Sequence, residues 1–161
     1  MNYEAFCRMF TDKIPEATPQ GERWYLMTKD VRAFTSGEQR KPHAQGLSLG
    51  MGRNDFVPSL ALLRILAETS NNKAVVTDAK AEWLFVCGRD VFSEYFTTKI
   101  SEGFVLVQNA HDENLGLGKL MQDKRGGPLL KNILDRGNYL RHDPVSLQGK
   151  KARKKSVYVK R

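Results

Sequence analysis

Cysteine is nearly absent from this 161-residue chain: Cys7 and Cys87 are the only two, with no CxxC pair. Two isolated thiols cannot build a zinc cage or a thioredoxin-type redox motif, so buried free thiols in a reducing compartment are expected. Histidine is scarce as well, with His43, His111 and His142 alone, and no set of carboxylates recurs at a definite spacing. No apolar run approaches the roughly 18 residues that span a bilayer. The opening MNYEAFCRMFTDKIPE mixes acids with aromatics, which is no signal-peptide pattern, and the expectation is a soluble protein that is not exported. Acid is missing from one place in particular. Residues 146–161 carry seven Lys and Arg and no Asp or Glu, whereas residues 1–70 carry nine against eight and residues 71–145 ten against ten.

The net charge of +8 is therefore concentrated in QGKKARKKSVYVKR, and the body is balanced. A cluster of this kind attracts a polyanion by counterion release. Nucleic acid fits better than a membrane, because the segment is no amphipathic helix and offers no lipid site or bulky apolar face.

The body alternates helical and strand patterns. Tyr3, Phe6, Cys7 and Phe10 share one face of a short helix that Ile14-Pro15 ends. Arg23 to Met27 reads as a strand, and Val31 to Phe34 as a second strand across a Thr28-Lys29-Asp30 turn. Ser36 to Gln45 is polar loop. Leu47, Leu49 and Met51 alternate with small residues in a further strand. Pro58 to Ala67 is the clearest helix, with Leu60, Leu63, Leu66 and Ala67 on one face, and the polar residues after it mark a boundary near 70–73. Ala74-Val75-Val76 and the apolar Trp83 to Cys87 read as strands, Gly88-Arg89-Asp90 as a turn, and Val91 to Phe96 as the start of a short helix. Phe104 to Val107 and Leu115 to Leu120 form a β-hairpin whose tip is Gln108 to Asn114. Arg125-Gly126-Gly127-Pro128 is a loop and Leu129 to Leu134 a strand. Asp135 is placed to cap a brief helix from Arg136 to Arg141.

Nothing in the sequence supports catalysis. His111-Asp112-Glu113 has the H-x-E spacing of a zinc deaminase, but the P-C-x-x-C partner is absent and the trio falls on the hairpin tip. Gly46, Gly50 and Gly52 match neither phosphate-loop spacing, Ser36 has no local activating histidine, and Lys119 follows LGLG, which cradles no phosphate. The expectation is a protein that is no enzyme and holds no cofactor and no metal. Binding has a better supply of parts. Arg136, Arg141 and His142 adjoin the basic terminus, Lys119 and Lys131 extend the patch, and Tyr139 and Tyr158 are the nearby aromatics, Tyr139 at a position usual for a core residue.

The residues GFVLVQN, LGLGKL and NILDRGNYLRHD, in that order, resemble the PUA domain, a small RNA-binding pseudobarrel. Upstream, GLSLGMGRNDFVPSLALLRILAE and KAVVTDAKAEWLFVCGRDVF are similar to the ribosome-biogenesis family typified by nuclear import protein seven, in which a pre-PUA domain precedes the PUA domain. About two thirds of the chain takes part. The resemblance implies an α+β fold, with an α/β pre-PUA domain over residues 1–70, a PUA pseudobarrel over 73–145 and a basic tail over 146–161. It implies a non-catalytic RNA-binding factor in large-subunit ribosome biogenesis and rRNA processing, with rRNA or pre-ribosomal RNA as ligand and assembly proteins docking on the N-terminal domain. The RNA-binding positions it places here are Arg136, Arg141, His142, Lys150, Lys151, Arg153, Lys154 and Lys155. A short N-terminus is similar to archaeal members, which implies a cytoplasmic site, or a nucleolar one in a eukaryote. Two alternatives belong to other classes. One is the RNA-docking portion of an RNA cytosine-C5 methyltransferase, against which stands the lack of a methyl-donor loop and of a Pro-Cys motif. The other is a PUA-like module for protein contacts alone.

Overall fold

A computed structural model describes residues 1–36, 45–124 and 126–141. Helix α1 (Tyr3–Arg8) starts at Asn2, whose side chain accepts a hydrogen bond from the Ala5 amide. It buries Tyr3, Phe6 and Cys7. Strands β1 (Thr18–Gln20), β2 (Arg23–Leu26), β3 (Leu47–Met51) and β4 (Val57–Pro58) form an antiparallel sheet in that order. Tyr3 stacks on Trp24 at 4.8 Å between ring centroids and meets Phe56 edge-on at 5.4 Å, which fixes α1 to this sheet.

Between β2 and β3 lies α2 (Lys29–Ser36), in the place where sequence patterning suggests a second strand. The competing signal is Thr28, whose hydroxyl accepts from the Val31 amide at 3.3 Å and opens a helical turn. Helix α3 (Leu60–Thr69) begins where Ser59 caps it through the Leu62 amide, and it buries Leu62, Leu63, Leu66 and Ala67. A second helix takes the place of an expected strand at Trp83 to Cys87. This apolar run is the end of α4 (Ala79–Val86), which Asp78 caps through the Ala81 amide at 2.7 Å. Ala81 and Phe85, four residues apart, are fully buried, while Trp83 is 64% exposed, so the run has two faces with helical spacing.

The remaining strands are β5 (Lys73–Val76), β6 (Val91–Phe92), β7 (Phe96–Thr98), β8 (Gly103–Gln108), β9 (Asn114–Gln122) and β10 (Pro128–Asp135). Val91 to Phe96 is thus not a continuous helix: a 3₁₀ turn, Ser93–Tyr95, separates two short strands. The sheet order is β6-β10-β9-β8-β5-β7, with β5 and β8 parallel and the other pairs antiparallel. Its two edge strands, β6 and β7, are neighbours in sequence. Six flat strands would set the edges about 24 Å apart, whereas the chain from Phe92 to Phe96 reaches about 14 Å at most. The sheet must therefore curl into a nearly closed barrel, with β6 and β7 at its seam.

Two packed cores account for the apolar pattern. Val105 and Val107 point into the barrel with Val76, Phe85, Val91, Leu115, Leu120 and Leu130. The alternate position Leu106 points outward and joins Leu117 in the core built by α1, β3 and α3. Strand β8 is covered on both faces, which is why it reads as an unbroken apolar run. The architecture is the expected α+β one, an N-terminal α/β half followed by a β pseudobarrel, and the outer barrel wall is part of the N-terminal core.

Candidate nucleic-acid interface

Strand β10 leads into α5 (Asn138–Arg141), and this junction is built around a buried carboxylate. Asp135 is 2% exposed and, contrary to the expectation from its position, does not cap the helix. Its Oδ2 accepts from the Arg141 guanidinium at 2.5 Å, while Oδ1 is buried without a hydrogen-bond partner among the described residues. The same guanidinium donates to the Val86 carbonyl at the end of α4. Gly137 makes this possible. A Cβ there would run into the Val86 carbonyl and the Arg141 side chain, so only glycine lets α5 approach α4 so closely. Arg141, named above among the RNA-binding positions, thus has its charge directed inward, with 35% of its side chain exposed.

Arg136 differs. Its backbone amide bonds to the Leu115 carbonyl, which locks the position, and its side chain is exposed. Tyr139 and Leu140 are 67% and 80% exposed, so Tyr139 is a surface aromatic and not a core residue. His142, Lys150, Lys151, Arg153, Lys154 and Lys155 lie outside the described residues.

The outer wall of β6, β10 and β9 carries a second set of groups. Lys131 sits directly opposite Lys119 in the ladder, and Lys119 in turn opposite Phe104, with the Lys119 ammonium 5.6 Å from that ring's centroid. Like charges opposed on one face of a sheet are mutually destabilising, so this pair is a standing attraction for an anion. Two residues further along, about 7 Å away, runs an apolar row of Phe92, Leu129 and Met121, with Phe92 52% exposed.

A cleft of about 810 Å³ is lined by α3, the β8–β9 hairpin, the start of β5 and Arg136, and it brings Arg64, Lys73 and Arg136 together. Arg64 and Lys73 were not foreseen as site residues. The packing of the two halves brings them to Arg136, and no local signal marks that in the sequence. The His111-Asp112-Glu113 trio does lie on the hairpin tip, where Asn109 organises it: the Asn109 side-chain carbonyl accepts from the His111 and Glu113 amides, both at 3.0 Å. Among the described residues no group of three or more His, Cys, Asp and Glu could hold a metal ion. Both cysteines are free. Burial pushes the Cys7 thiol up to about 11, with a hydrogen bond to Tyr3 opposing the rise and Glu4 adding to it.

Residues 73–144 match the UPF0113 PUA domain family. This C-terminal segment is a PUA domain. A UPF0113 protein of Archaeoglobus fulgidus is 32% identical over an alignment of 119 residues; the match covers 66% of this chain and 66% of that protein, so the chain spans a little under two thirds of that relative. The matched segment begins at β5 and ends just beyond α5, so it takes in the whole barrel, the Asp135–Arg141 junction and Arg136. PUA domains are an RNA-binding type of module, and neither the family description nor the relative's name is that of an enzyme. No helix of the described residues is long and apolar enough to cross a membrane.

Proposed function

We propose that this protein is a non-catalytic RNA-binding factor of large-subunit ribosome assembly and rRNA processing. The observation that carries the RNA half of the reading is Arg136, an exposed arginine locked at the end of the last barrel strand of a PUA domain, beside the sequence segment that holds nearly all the net charge. RNA phosphates meet Arg136 and the Lys119–Lys131 pair, His142, Lys150, Lys151, Arg153, Lys154 and Lys155 further along the sequence supply the remaining contacts, and Tyr139 and Phe92 offer faces on which unpaired bases stack. Arg141 holds α5 in place for Arg136 and Tyr139.

Assembly proteins dock on the N-terminal half. Its nearly balanced charge suits a protein partner better than RNA. Phe34 is 72% exposed, and Met51 and Val57, paired across β3 and β4, are 46% and 56% exposed, an apolar surface of the kind such contacts cover. A cytoplasmic site for this work is part of the proposal. Crosslinking the protein to cellular RNA and sequencing the attached fragments tests the reading. Enrichment of large-subunit rRNA and its precursors is expected, and enrichment of transfer RNA alone would overturn the ribosomal assignment.

A further inference from the structure

The cleft between the two halves has unmet bonding capacity of both kinds. Arg64 from α3, Lys73 at the start of β5 and Arg136 at the end of β10 converge on it from three different elements, and Asp112 and Glu113 face it from the hairpin tip. Glu68 of α3 lines it as well. Among the described residues none of these side chains belongs to an ion pair, the two ion pairs being Arg32–Glu16 and Arg141–Asp135, while one oxygen of Glu113 accepts from the Asn109 side-chain amide at 2.9 Å and leaves the other for a ligand. Gln108, 2% exposed, lines the cleft between them. Its Oε1 is buried with no hydrogen-bond partner, and its Nε2 donates to the Asp112 carbonyl at a long 3.4 Å. A buried acceptor left unmet costs about 1–3 kcal/mol, so such a group calls for a donor. Beside it Asp112 has φ 60, the one non-glycine residue with positive φ among the described residues, a left-handed turn conformation that Asp tolerates.

A ligand that answers both needs has an anionic part for the three cations and N–H donors for Gln108 and the carboxylates. Inorganic phosphate satisfies only the first, and a cationic peptide only the second. We propose that the cleft receives one unpaired nucleotide of a bound RNA strand, its phosphate on Arg64, Lys73 and Arg136 and the edge of its base on Gln108, Asp112 and Glu113. At about 810 Å³ the space is ample for a nucleotide. The Gln108 amide, held only by its long bond to the Asp112 carbonyl, is free to turn Oε1 toward the base. This rests on the RNA-binding reading and adds to it: base readout then belongs to the interface between the halves, with Arg136 shared between the cleft and the phosphate track.

The test uses the full chain and short single-stranded oligoribonucleotides, each with one abasic position moved along the strand. In the wild-type protein one abasic position should weaken binding about tenfold while its neighbours change it little. Gln108→Met, similar in size but without the amide, should bind the intact strand less tightly and show no such position. Should Gln108→Met fail to fold, Arg64→Ala on the exposed side of α3 takes its place and should weaken intact strands about fivefold. An oligonucleotide with a photoreactive base should also crosslink to residues 108–114 of the wild-type protein. Equal affinity for intact and abasic strands, or crosslinks confined to residues outside the cleft, would overturn the inference and leave RNA binding standing. A wild-type protein that binds no RNA would overturn the functional reading and this inference together.

Discussion

Replacing Arg141 by alanine isolates the one arginine near the interface whose charge is directed into the protein. The substitution strips Asp135 of its one ion-pair partner among the described residues. That carboxylate is 3% exposed at its side chain and already has one oxygen without a hydrogen bond among them. Breaking a buried ion pair from one side costs about 3–5 kcal/mol, because the remaining charge is left uncompensated. Here the arginine side is 35% exposed, so water can reach part of the gap, and a loss of roughly 2–3 kcal/mol is the expected value. At roughly 2–4 °C per kcal/mol for a chain of this size, thermal unfolding should move down by about 5–10 °C. Arg136→Ala is the control. That side chain is exposed, so the change should stay within about 0.5 kcal/mol. The double variant Arg141→Ala with Asp135→Asn should recover part of the loss, since a neutral amide replaces the stranded carboxylate. Calorimetry of the four proteins decides the matter. An Arg141→Ala protein as stable as Arg136→Ala would refute the reasoning and return Arg141 to the ordinary surface cations.

Asp78→Ala should cost about 1 kcal/mol of stability through loss of the α4 cap, measured by urea titration; no change would mean that packing of Phe85 alone holds the helix. Cys7 has a folded-state value raised from 9.0 to about 11, so its neutral form is favoured in the fold. The stability tied to that thiol is fully present below about pH 9 and is lost as pH rises toward 11, a fall on the order of 2–3 kcal/mol that Cys7→Ala should abolish in denaturation curves across pH 8–11. Residues 73–161 prepared without the N-terminal half should bind a hydrophobic dye strongly, because Leu106 and Leu117, 0% and 2% exposed in the whole chain, lose their cover. A fragment that binds no dye and melts like the full chain would show that the shared core contributes little.

The hairpin, β10 and α3 were legible in the sequence because each carries a local signal that agrees with its tertiary setting. Phe104 to Val107 is β-branched or aromatic at most positions, and the repeat of Leu62, Leu63 and Leu66 after Ser59 announces a capped helix. The two helices read as strands were less open. In α4 the residues Trp83 to Val86 are apolar on both faces, so periodicity does not separate helix from strand there. The decisive sign was Asp78 followed by Ala, Lys, Ala and Glu, a cap and good helix formers just upstream. In α2 the Thr28 hydroxyl was the corresponding sign. At the interface, Arg136 and Arg141 are alike in sequence and opposite in setting. Their difference depends on Asp135 being buried and on the end of α4 reaching α5, both products of long-range packing. The cleft was invisible for the same reason, as Arg64, Lys73 and Arg136 are far apart in the chain and meet only when α3 packs beside the barrel.

The central claim is that RNA binds along Arg136, the Lys119–Lys131 pair and the basic residues that follow. Fluorescence anisotropy of a single-stranded RNA titrated with the full chain over a range of salt tests it most directly. If about five cations meet phosphates, log affinity should fall against log salt with a slope near 3.5, from about 0.7 per contact. A variant with Arg136, Lys119, Lys131, Lys150, Lys151, Arg153, Lys154 and Lys155 changed to alanine, and Arg141 kept to preserve the fold, should bind weakly with a slope of about 0.7 or less, the share of the one phosphate left to Arg64 and Lys73. Wild-type affinity and an undiminished slope in that variant would contradict the account, because the RNA surface would then lie elsewhere on the protein.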